Sequence, residues 1–272
     1  MRLNKNMFSL NIYNSYKSEL TNNSKAMNNI SSGLKLNKAK DNAGKIAQSE
    51  TLKIQIVSNE AAKRNIQDTN SMIQTFDGAM QEMNNSLSRM KELTVQGANG
   101  ILSDTDKKAV QDELDQLISH IDYMAKNTDF NGVKLMDSAG SIESIIGSLE
   151  DETVTIPKID LTATTLGISG LDITDSSKAG AAIDSVEKAI KTVSAARSKF
   201  GAIQLGLDDS SDGVDTRNLS LQKAQSSIAD ADMAEEMIKF SRSQILIQSS
   251  IGLMAQSNNF PKDALNVLQN IR

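Results

Sequence analysis

Apolar residues recur every seven positions in two long stretches of this 272-residue chain, one in each half. In the front half the repeat runs from residue 66 to residue 90, and in the back half it keeps one phase from residue 186 to residue 228. Such a repeat predicts long helices that bury a narrow apolar seam against one another. The predicted seam residues are Ile66, Ile73, Phe76, Met80, Met83, Leu87 and Met90 in front, with Val193, Phe200, Leu207, Val214 and Leu221 behind. Because the two stretches match in length and period, we expect them to pair as an antiparallel coiled coil, in a rod whose two termini lie side by side.

The composition favours a thin helical bundle and argues against several classes of function. Aromatic residues make up 3% of the chain, whereas methionine is common, with 12 residues. The net charge is −5 and no basic run is present, so the electrostatic footprint of nucleic-acid binding is missing. No apolar run approaches the ~18 residues of a membrane span, and the first twenty residues lack the apolar core of a cleavable signal peptide. Without cysteine the chain forms no disulfide and has no thiol chemistry.

The period of the apolar pattern changes along the chain and divides it into five segments. They are an N-terminal helix at 1–42, the first half of the core bundle with a hairpin at 43–136, a short variable cap at 137–177, the second half of the bundle at 178–230 and a C-terminal helix at 231–272. The apolar stripe of the first segment is thin, so we expect only a marginal helix there. The predicted fold class is mainly α, with a small β-hairpin region at the tip of the rod.

Local signals predict the connections between the helices. Ser103 can cap the helix that follows it. The pair Asn131-Gly132 lies between apolar residues and is the strongest short hairpin signal in the chain. Residues 153–156 and 159–162 alternate in polarity and contain β-branched side chains, which predicts two short strands.

Five short segments carry a recognisable order of residues. They read ISSGLKLNKAKDNAG at 30–44, MKELTVQGANG at 90–100, NTDFNGVKL at 127–135, IADADMAEEM at 228–237 and MAQSNN at 254–259. In this order they resemble the N- and C-terminal signatures of the bacterial flagellins, over about residues 1–136 and 180–272. Five linked matches make chance similarity negligible.

The resemblance implies an architecture and a function. Flagellins pair their two termini as an inner layer, pack a helical bundle and hairpin outside it, and insert variable outer domains between the halves. This chain resembles a minimal flagellin, in which that insertion is nearly absent. We therefore expect a structural subunit that self-assembles into the extracellular flagellar filament for motility, with no cofactor and no membrane insertion.

The same resemblance implies partners for the protein, among them a chaperone that binds its C-terminal segment. They are further copies of the chain, a flagellar export chaperone, the flagellar secretion apparatus, and the hook-associated junction and cap proteins. The residues that we expect to serve assembly and chaperone binding are Ile245, Leu246, Leu253, Phe260 and Val267.

Two other functions remain as alternatives. A junction or hook-associated protein is built on the same helical layers, but the segment at 230–236 and the ending at 267–272 favour a filament subunit. An enzyme on a helical scaffold would need a nucleophile–base pair, and the sequence offers no candidate.

A possible receptor contact lies on the first core helix. In flagellins recognised by the innate immune receptor Toll-like receptor 5, matching positions lie at the centre of the receptor contact. By resemblance these positions are Arg89, Leu93, Gln96 and Glu113, which we expect to form an exposed set on the monomer. Leu117 occupies a nearby position that is basic in some such flagellins. The alternative is that Arg89 only pairs with Glu92 or Glu113 within the bundle.

The segment 208–215 imitates the first half of a calcium loop. Its acids and Gly213 have the loop spacing, but Leu219 stands where the loop requires a bidentate glutamate. The alternative, which we favour, is a solvated and weak helical segment in which Gly213 costs about 1 kcal/mol relative to alanine. His120 is the only histidine, and we expect it to be a solvated helix residue.

Overall fold

The computed structural model describes residues 7–99, 101–148 and 151–270, apart from the side chains of residues 176, 177, 260–265 and 267–270. Within these residues the chain forms five helices and two strands. They are α1 (Met7–Ser32), α2 (Ala43–Gly97), α3 (Asp104–Asn127), β1 (Gly140–Ile145), β2 (Thr153–Lys158), α4 (Ser176–Ala229) and α5 (Met233–Asn270). The mainly α fold class with a small antiparallel β region is confirmed. None of the described helices is long and apolar enough to cross a membrane.

Contacts divide the chain into two compact units. The terminal unit comprises Met1–Ile54 and Ser220–Arg272, and the central unit comprises Gln55–Leu219. Both boundaries of these contact units fall inside long helices, α2 and α4. A helix without proline continues through a change of packing partner, so the apolar pattern alone does not mark such a boundary.

In the central unit, α2 and α4 pack in antiparallel orientation. The Lys63 ammonium lies 2.7 Å from the Asp215 carboxylate, and Asn70 donates to Asp208 at 3.1 Å. Further along, the Arg197 guanidinium binds the Asp77 carboxylate through two hydrogen bonds, and its pKa is raised by that contact. Residue numbers thus rise along α2 as the numbers of their partners fall along α4.

The apolar core of the central unit contains nearly all of the predicted seam. Ile66, Ile73, Phe76, Met80, Met83, Leu87, Met90, Val193, Phe200, Leu207 and Val214 are all buried. Full burial of side chains of this size contributes about 1.5–3 kcal/mol each. Leu221 is the exception, because it is only half-buried and lies in the terminal unit, beyond Val214, where this core ends.

The segment between α3 and α4 supplies a second part of that core. Its buried residues are Leu135, Met136, Ile156, Leu161, Ala163, Leu166, Ile168 and Ile173. Two backbone hydrogen bonds fix it, from Ile159 to Leu135 and from Leu161 to Met136. The segment therefore packs into the central unit over much of its length.

The predicted turn and cap form with the expected local chemistry. The Ser103 hydroxyl accepts a hydrogen bond from the Asp106 backbone N–H and begins α3. Asn131 and Gly132 have φ of 51° and 78°, as a two-residue type I′ hairpin turn requires. Phe130 and Val133 exchange both backbone hydrogen bonds at 2.9 Å across this turn.

The strand prediction is half correct. Residues 153–156 lie in β2, but residues 159–162 form no strand. There the Asp160 carboxylate accepts hydrogen bonds from the Thr162 N–H and the Thr165 hydroxyl. These local bonds take the place of backbone hydrogen bonds to a neighbouring strand. The partner of β2 is β1, whose Gly and Ser content hides it from the pattern. Asn65 and Thr69 of α2 hydrogen bond to Ile145 and Ser144 of β1.

In the terminal unit, α1 and α5 pack in antiparallel orientation. The Asn23 amide donates to the Ser243 hydroxyl at 2.9 Å. Nearer the other end, Leu34 and Asp230 form an antiparallel bridge, flanked by a hydrogen bond from the Lys35 N–H to the Ala229 carbonyl. The first and the last helix of the described chain thus pack against each other in one unit.

Candidate assembly surface

The α1·α5 pair of the terminal unit has an inverted distribution of polarity. Its buried side chains are largely polar, namely Asn29, Glu236, Ser243 and Ser257. In contrast, α5 exposes Met233, Met237, Ile238, Ile245, Leu246, Ile251 and Leu253. A helix in water normally places its apolar side chains against its own fold. We refer to these seven residues and the exposed apolar residues of α1 as the terminal apolar surface.

Helix α1 contributes apolar residues of the same kind. They are Met7, Phe8, Leu10, Tyr13, Leu20 and Met27, all largely exposed. The rings of Tyr13 and Tyr16 stack with centroids 6.5 Å apart. An exposed apolar area of this extent is characteristic of a surface that another molecule covers.

Polar contacts hold α1 against α5. The Asn23 amide donates to the Ser243 hydroxyl at 2.9 Å and to the Phe240 carbonyl at 3.4 Å, and within α5 the Glu236 carboxylate lies 2.9 Å from the Lys239 ammonium. This carboxylate is the main reason that the pKa of Lys239 is raised. Some large apolar side chains of the two helices, such as Ile12, Phe240 and Ile247, are half-buried, but those of the terminal apolar surface remain exposed and available to other partners.

The exposed apolar side chains of α5 point in several directions. Ile238 and Ile245, seven residues apart, are 67% and 66% exposed and line a shallow groove with Met237 and Leu246. Leu246 and Leu253 are also seven residues apart, and because Leu246 comes one residue after Ile245, this second line faces another side of α5. A helix that is apolar on most sides is normally surrounded by protein. Covering α5 therefore requires partners on more than one side.

The structure places the predicted assembly residues as follows. Ile245, Leu246 and Leu253 lie on the terminal apolar surface. The side chains of Phe260 and Val267 lie outside the described residues, although the backbone there belongs to α5. Met233, Met237 and Ile238 are further members that the sequence analysis missed, because it followed a single heptad line.

The loop between α1 and α2 is held by one carboxylate. Asp41 accepts hydrogen bonds from the backbone N–H groups of Lys38 at 2.9 Å and Asn37 at 3.2 Å. The bond from Lys38 is the largest cause of the lowered pKa of Asp41. This carboxylate shapes the turn within the segment 30–44.

A charged patch lies on α2 and α3 of the central unit. The Arg89 guanidinium binds the Glu113 carboxylate at 2.9 Å and the Glu92 carboxylate at 3.1 Å. Both contacts raise the pKa of the Arg89 guanidinium, and the hydrogen bond to Glu113 is the larger cause. Gln96 and Val95 are exposed on the following turn of α2. We refer to Arg89, Glu92, Gln96 and Glu113 as the charged patch.

Leu93 is not part of the exposed set, and that prediction is wrong. Its side chain is 1% exposed and belongs to the core. It follows Met90 by three residues and so continues the buried face of α2. The exposed apolar residue on this turn is Val95. Leu117 is half-buried and packs against the same core.

The acidic segment 208–215 is a continuous part of α4. Asp208 accepts a hydrogen bond from Asn70, and Asp215 pairs with Lys63, so both carboxylates bind α2. Among the described residues, no group of three or more His, Cys, Asp or Glu side chains could hold a metal ion. His120 is exposed on α3.

Two family sequence models match this chain. The model of the bacterial flagellin N-terminal helical region matches residues 3–141. The model of the bacterial flagellin C-terminal helical region matches residues 183–268. The unmatched residues between them contain β2 and the loop that leads to α4.

Known proteins are similar over nearly their whole length. A flagellin of Halalkalibacterium halodurans is 37% identical over 99% of this chain and 100% of the relative. A flagellin of Bacillus subtilis is 34% identical over 99% of this chain and 100% of the relative. A flagellar filament 30.7 kDa core protein of Treponema maltophilum is 34% identical over 91% and 93%, respectively.

Solved structures agree with these matches. The crystal structure of Bacillus cereus flagellin superposes with a TM-score of 0.52 at 30% identity, over 56% of this chain and 88% of that chain. A flagellar hook-associated protein from Vibrio parahaemolyticus has a TM-score of 0.61 at 15% identity, over 70% and 100%, which shows a shared fold alone. The chain belongs to the bacterial flagellin family, the structural proteins of the extracellular flagellar filament, and it is not an enzyme.

Proposed function

We propose that this chain polymerises into a filament by covering its terminal apolar surface with neighbouring copies. The observation that carries the proposal is the inverted polarity of the α1·α5 pair, which buries polar side chains and exposes large apolar ones. Each apolar side chain of this size gains about 1.5–3 kcal/mol when it is removed from water. Because α5 is apolar on several sides, one copy meets several neighbours, as a helical filament requires.

Seeded polymerisation of point variants tests the proposal. Ile245→Asp places a carboxylate on the terminal apolar surface, where burial of an unpaired charge is strongly unfavourable. We expect this variant to remain monomeric. Ile145→Asp is the matched control, because Ile145 is also an exposed isoleucine but lies on β1 of the central unit. Fibres from Ile245→Asp with the length and yield of wild type would contradict the proposal.

An export chaperone is the second partner that we propose for α5. The consecutive residues Ile245, Leu246 and Ile247 are a hazard for aggregation before assembly. We propose that a small helical chaperone covers residues 231–272 with one-to-one stoichiometry until the secretion apparatus exports the chain. Calorimetry should show binding that is lost when 231–272 is removed, and equal affinity without this segment would rule the proposal out. In the assembled flagellum, the hook-associated junction and cap proteins would adjoin the filament of this subunit.

Recognition of the monomer by Toll-like receptor 5 is a further proposal. It is supported by the exposure of the charged patch on α2 and α3 and by the resemblance of Arg89, Gln96 and Glu113 to receptor-binding positions. Arginine is common among the residues that dominate protein interfaces. The buried Leu93 would act only by holding α2 in place.

A cell reporter for this receptor tests that proposal on monomeric protein. Arg89→Ala should weaken signalling by about thirtyfold or more, since loss of a dominant interface residue costs about 2 kcal/mol or more. Arg64→Ala is the matched control, because Arg64 is exposed on α2 outside the charged patch. An inactive wild-type monomer, or equal signalling by Arg89→Ala and wild type, would contradict the proposal.

A further inference from the structure

The methionines divide between the two units according to exposure. Among the described residues, the largely exposed ones are Met7, Met27, Met233 and Met237, and all belong to the terminal unit. The buried ones are Met72, Met80, Met83, Met90 and Met136, and all belong to the central unit. Met124 of the central unit and Met254 of the terminal unit are half-buried. The largely exposed and the buried thioethers therefore lie in separate units.

Three of the exposed methionines lie on one stretch of the α1·α5 pair. Met27, Met233 and Met237 all fall between the Asn23–Ser243 hydrogen bond and the Leu34–Asp230 bridge. Their side chains are 61%, 45% and 50% exposed. They belong to the terminal apolar surface, which neighbouring copies cover in the proposed filament.

We propose that Met27, Met233 and Met237 are oxidation sites through which a peroxide blocks assembly of the free subunit. The inference rests on the assembly role proposed for the terminal apolar surface. In the reaction the thioether sulfur attacks one peroxide oxygen and the O–O bond breaks. An S–O bond forms, and the departing hydroxide leaves as water after proton transfer. The sulfur loses two electrons and the peroxide gains them.

The product is incompatible with the surface on which it forms. Methionine sulfoxide is polar, whereas the thioether is a flexible apolar group suited to an adaptable interface. A sulfoxide on the terminal apolar surface has to be desolvated when a neighbouring copy covers it. The monomer is then sensitive to peroxide, while the same residues are shielded once the filament has formed.

Access explains why the reaction favours the terminal unit, since Met124 is the one described methionine of the central unit that is half-buried and the others there are buried. The core methionines Met80, Met83, Met90 and Met136 have no exposed surface, so a peroxide reaches them only when the central unit opens. Partial oxidation should therefore leave the central unit folded. The defect would be one of assembly and not of folding.

Hydrogen peroxide treatment of full-length monomer, followed by seeded polymerisation, tests the inference. Peptide mass mapping should find the added oxygen on Met27, Met233 and Met237 well before it appears on the core methionines. The critical concentration for assembly should rise by about tenfold for each oxidised side chain that loses its apolar contact. Treatment with the two methionine sulfoxide reductases, one for each sulfoxide epimer, should restore assembly.

Two variants sharpen the experiment. The quadruple variant Met7→Leu, Met27→Leu, Met233→Leu and Met237→Leu removes every largely exposed methionine among the described residues, keeps the apolar volume and should assemble equally before and after peroxide. The control Met72→Leu changes a core methionine, and its assembly should remain sensitive to peroxide. Untreated wild type that fails to assemble would refute the assembly role itself. Treated wild type that assembles normally while carrying the three sulfoxides would overturn the oxidation proposal alone. A reductase treatment that removes the sulfoxides without restoring assembly would overturn it equally.

Discussion

Asn59 places an amide where the heptad repeat of α2 has an apolar side chain. It precedes Ile66 by seven residues and is fully buried, yet neither its Nδ2 nor its Oδ1 has a hydrogen-bond partner among the described residues. The Lys63–Asp215 pair sets Asn218 of α4 close to the level of Asn59, and the Oδ1 of Asn218 also lacks a partner there. A polar residue in a helical seam specifies register at a cost in stability.

We predict that Asn59→Leu stabilises the central unit. Removal of an unpaired buried amide should raise the free energy of unfolding by about 1–3 kcal/mol, because in wild type this amide loses its hydrogen bonds to water on folding and gains none in return. Denaturant titration measures the change. Asn85→Leu is the control, since Asn85 is exposed on the same helix and should give no comparable gain. A less stable Asn59→Leu variant would show that this amide is satisfied in the folded protein.

Leu93 and Val95 give a second test at the scale of single residues. Leu93→Ala should lower the free energy of unfolding by about 2–5 kcal/mol, because it leaves a cavity in the core. Val95→Ala should stay within about 0.5 kcal/mol of wild type, as substitutions at exposed positions usually do. Thermal or denaturant unfolding of both variants distinguishes the positions. Equal effects would mean that the buried face of α2 is assigned incorrectly.

At the scale of elements, the start of α4 depends on the charge of Asp172. The Thr174 hydroxyl and the Lys178 ammonium donate to its carboxylate at 2.6 and 2.9 Å. These bonds lower the pKa of Asp172 to about 2 from its ordinary value of 3.8, and the bond from Thr174 is the largest cause. The carboxylate thus joins the approach loop to the first turn of the helix.

This depressed pKa predicts a dependence of stability on pH. Because the folded-state pKa lies below the unfolded one, the stabilisation is present above the ordinary pKa and is lost as pH falls toward about 2. Asp172→Asn removes the titrating group. The stability difference between wild type and this variant should therefore shrink between about pH 5 and pH 2. A difference that stays constant over this interval would contradict the role of Asp172.

The helices of the central unit were largely predictable because their apolar pattern is also their buried pattern. The cap at Ser103 and the turn at Asn131-Gly132 were predictable from local chemistry for the same reason. The strand β1 was not, since Gly140, Ser141 and Ser144 carry little strand preference and the strand forms by pairing with β2 and contacting α2. Local propensity does not contain such distant contacts.

The candidate surfaces were predictable only in part. The heptad line through Leu246 and Leu253 could not show that α5 leaves apolar side chains exposed on several faces. The prediction that Leu93 is exposed was wrong for a related reason. Its i, i+4 spacing from Arg89 does not say how wide the buried face of α2 is. Width depends on how much of the helix surface its neighbours cover, and that is a tertiary property.

At the scale of the whole molecule, the two units differ in how their stability arises. The central unit has a continuous apolar core drawn from α2, α3, α4 and the segment between α3 and α4. In the terminal unit the described core is small and largely polar, and most of its large apolar side chains are exposed. In the proposed filament the terminal unit would gain most of its apolar burial from other copies, which would couple its folding to assembly.

Amide hydrogen exchange, measured on the monomer and on the seeded filament, tests this coupling most directly. We predict weak protection of α1 and α5 in the monomer and strong protection in the filament, because assembly removes their apolar faces from water. Residues 66–90 of α2 and the central-unit part of α4 should be protected in both states. Full protection of α1 and α5 in the free monomer, or no gain on polymerisation, would contradict the account.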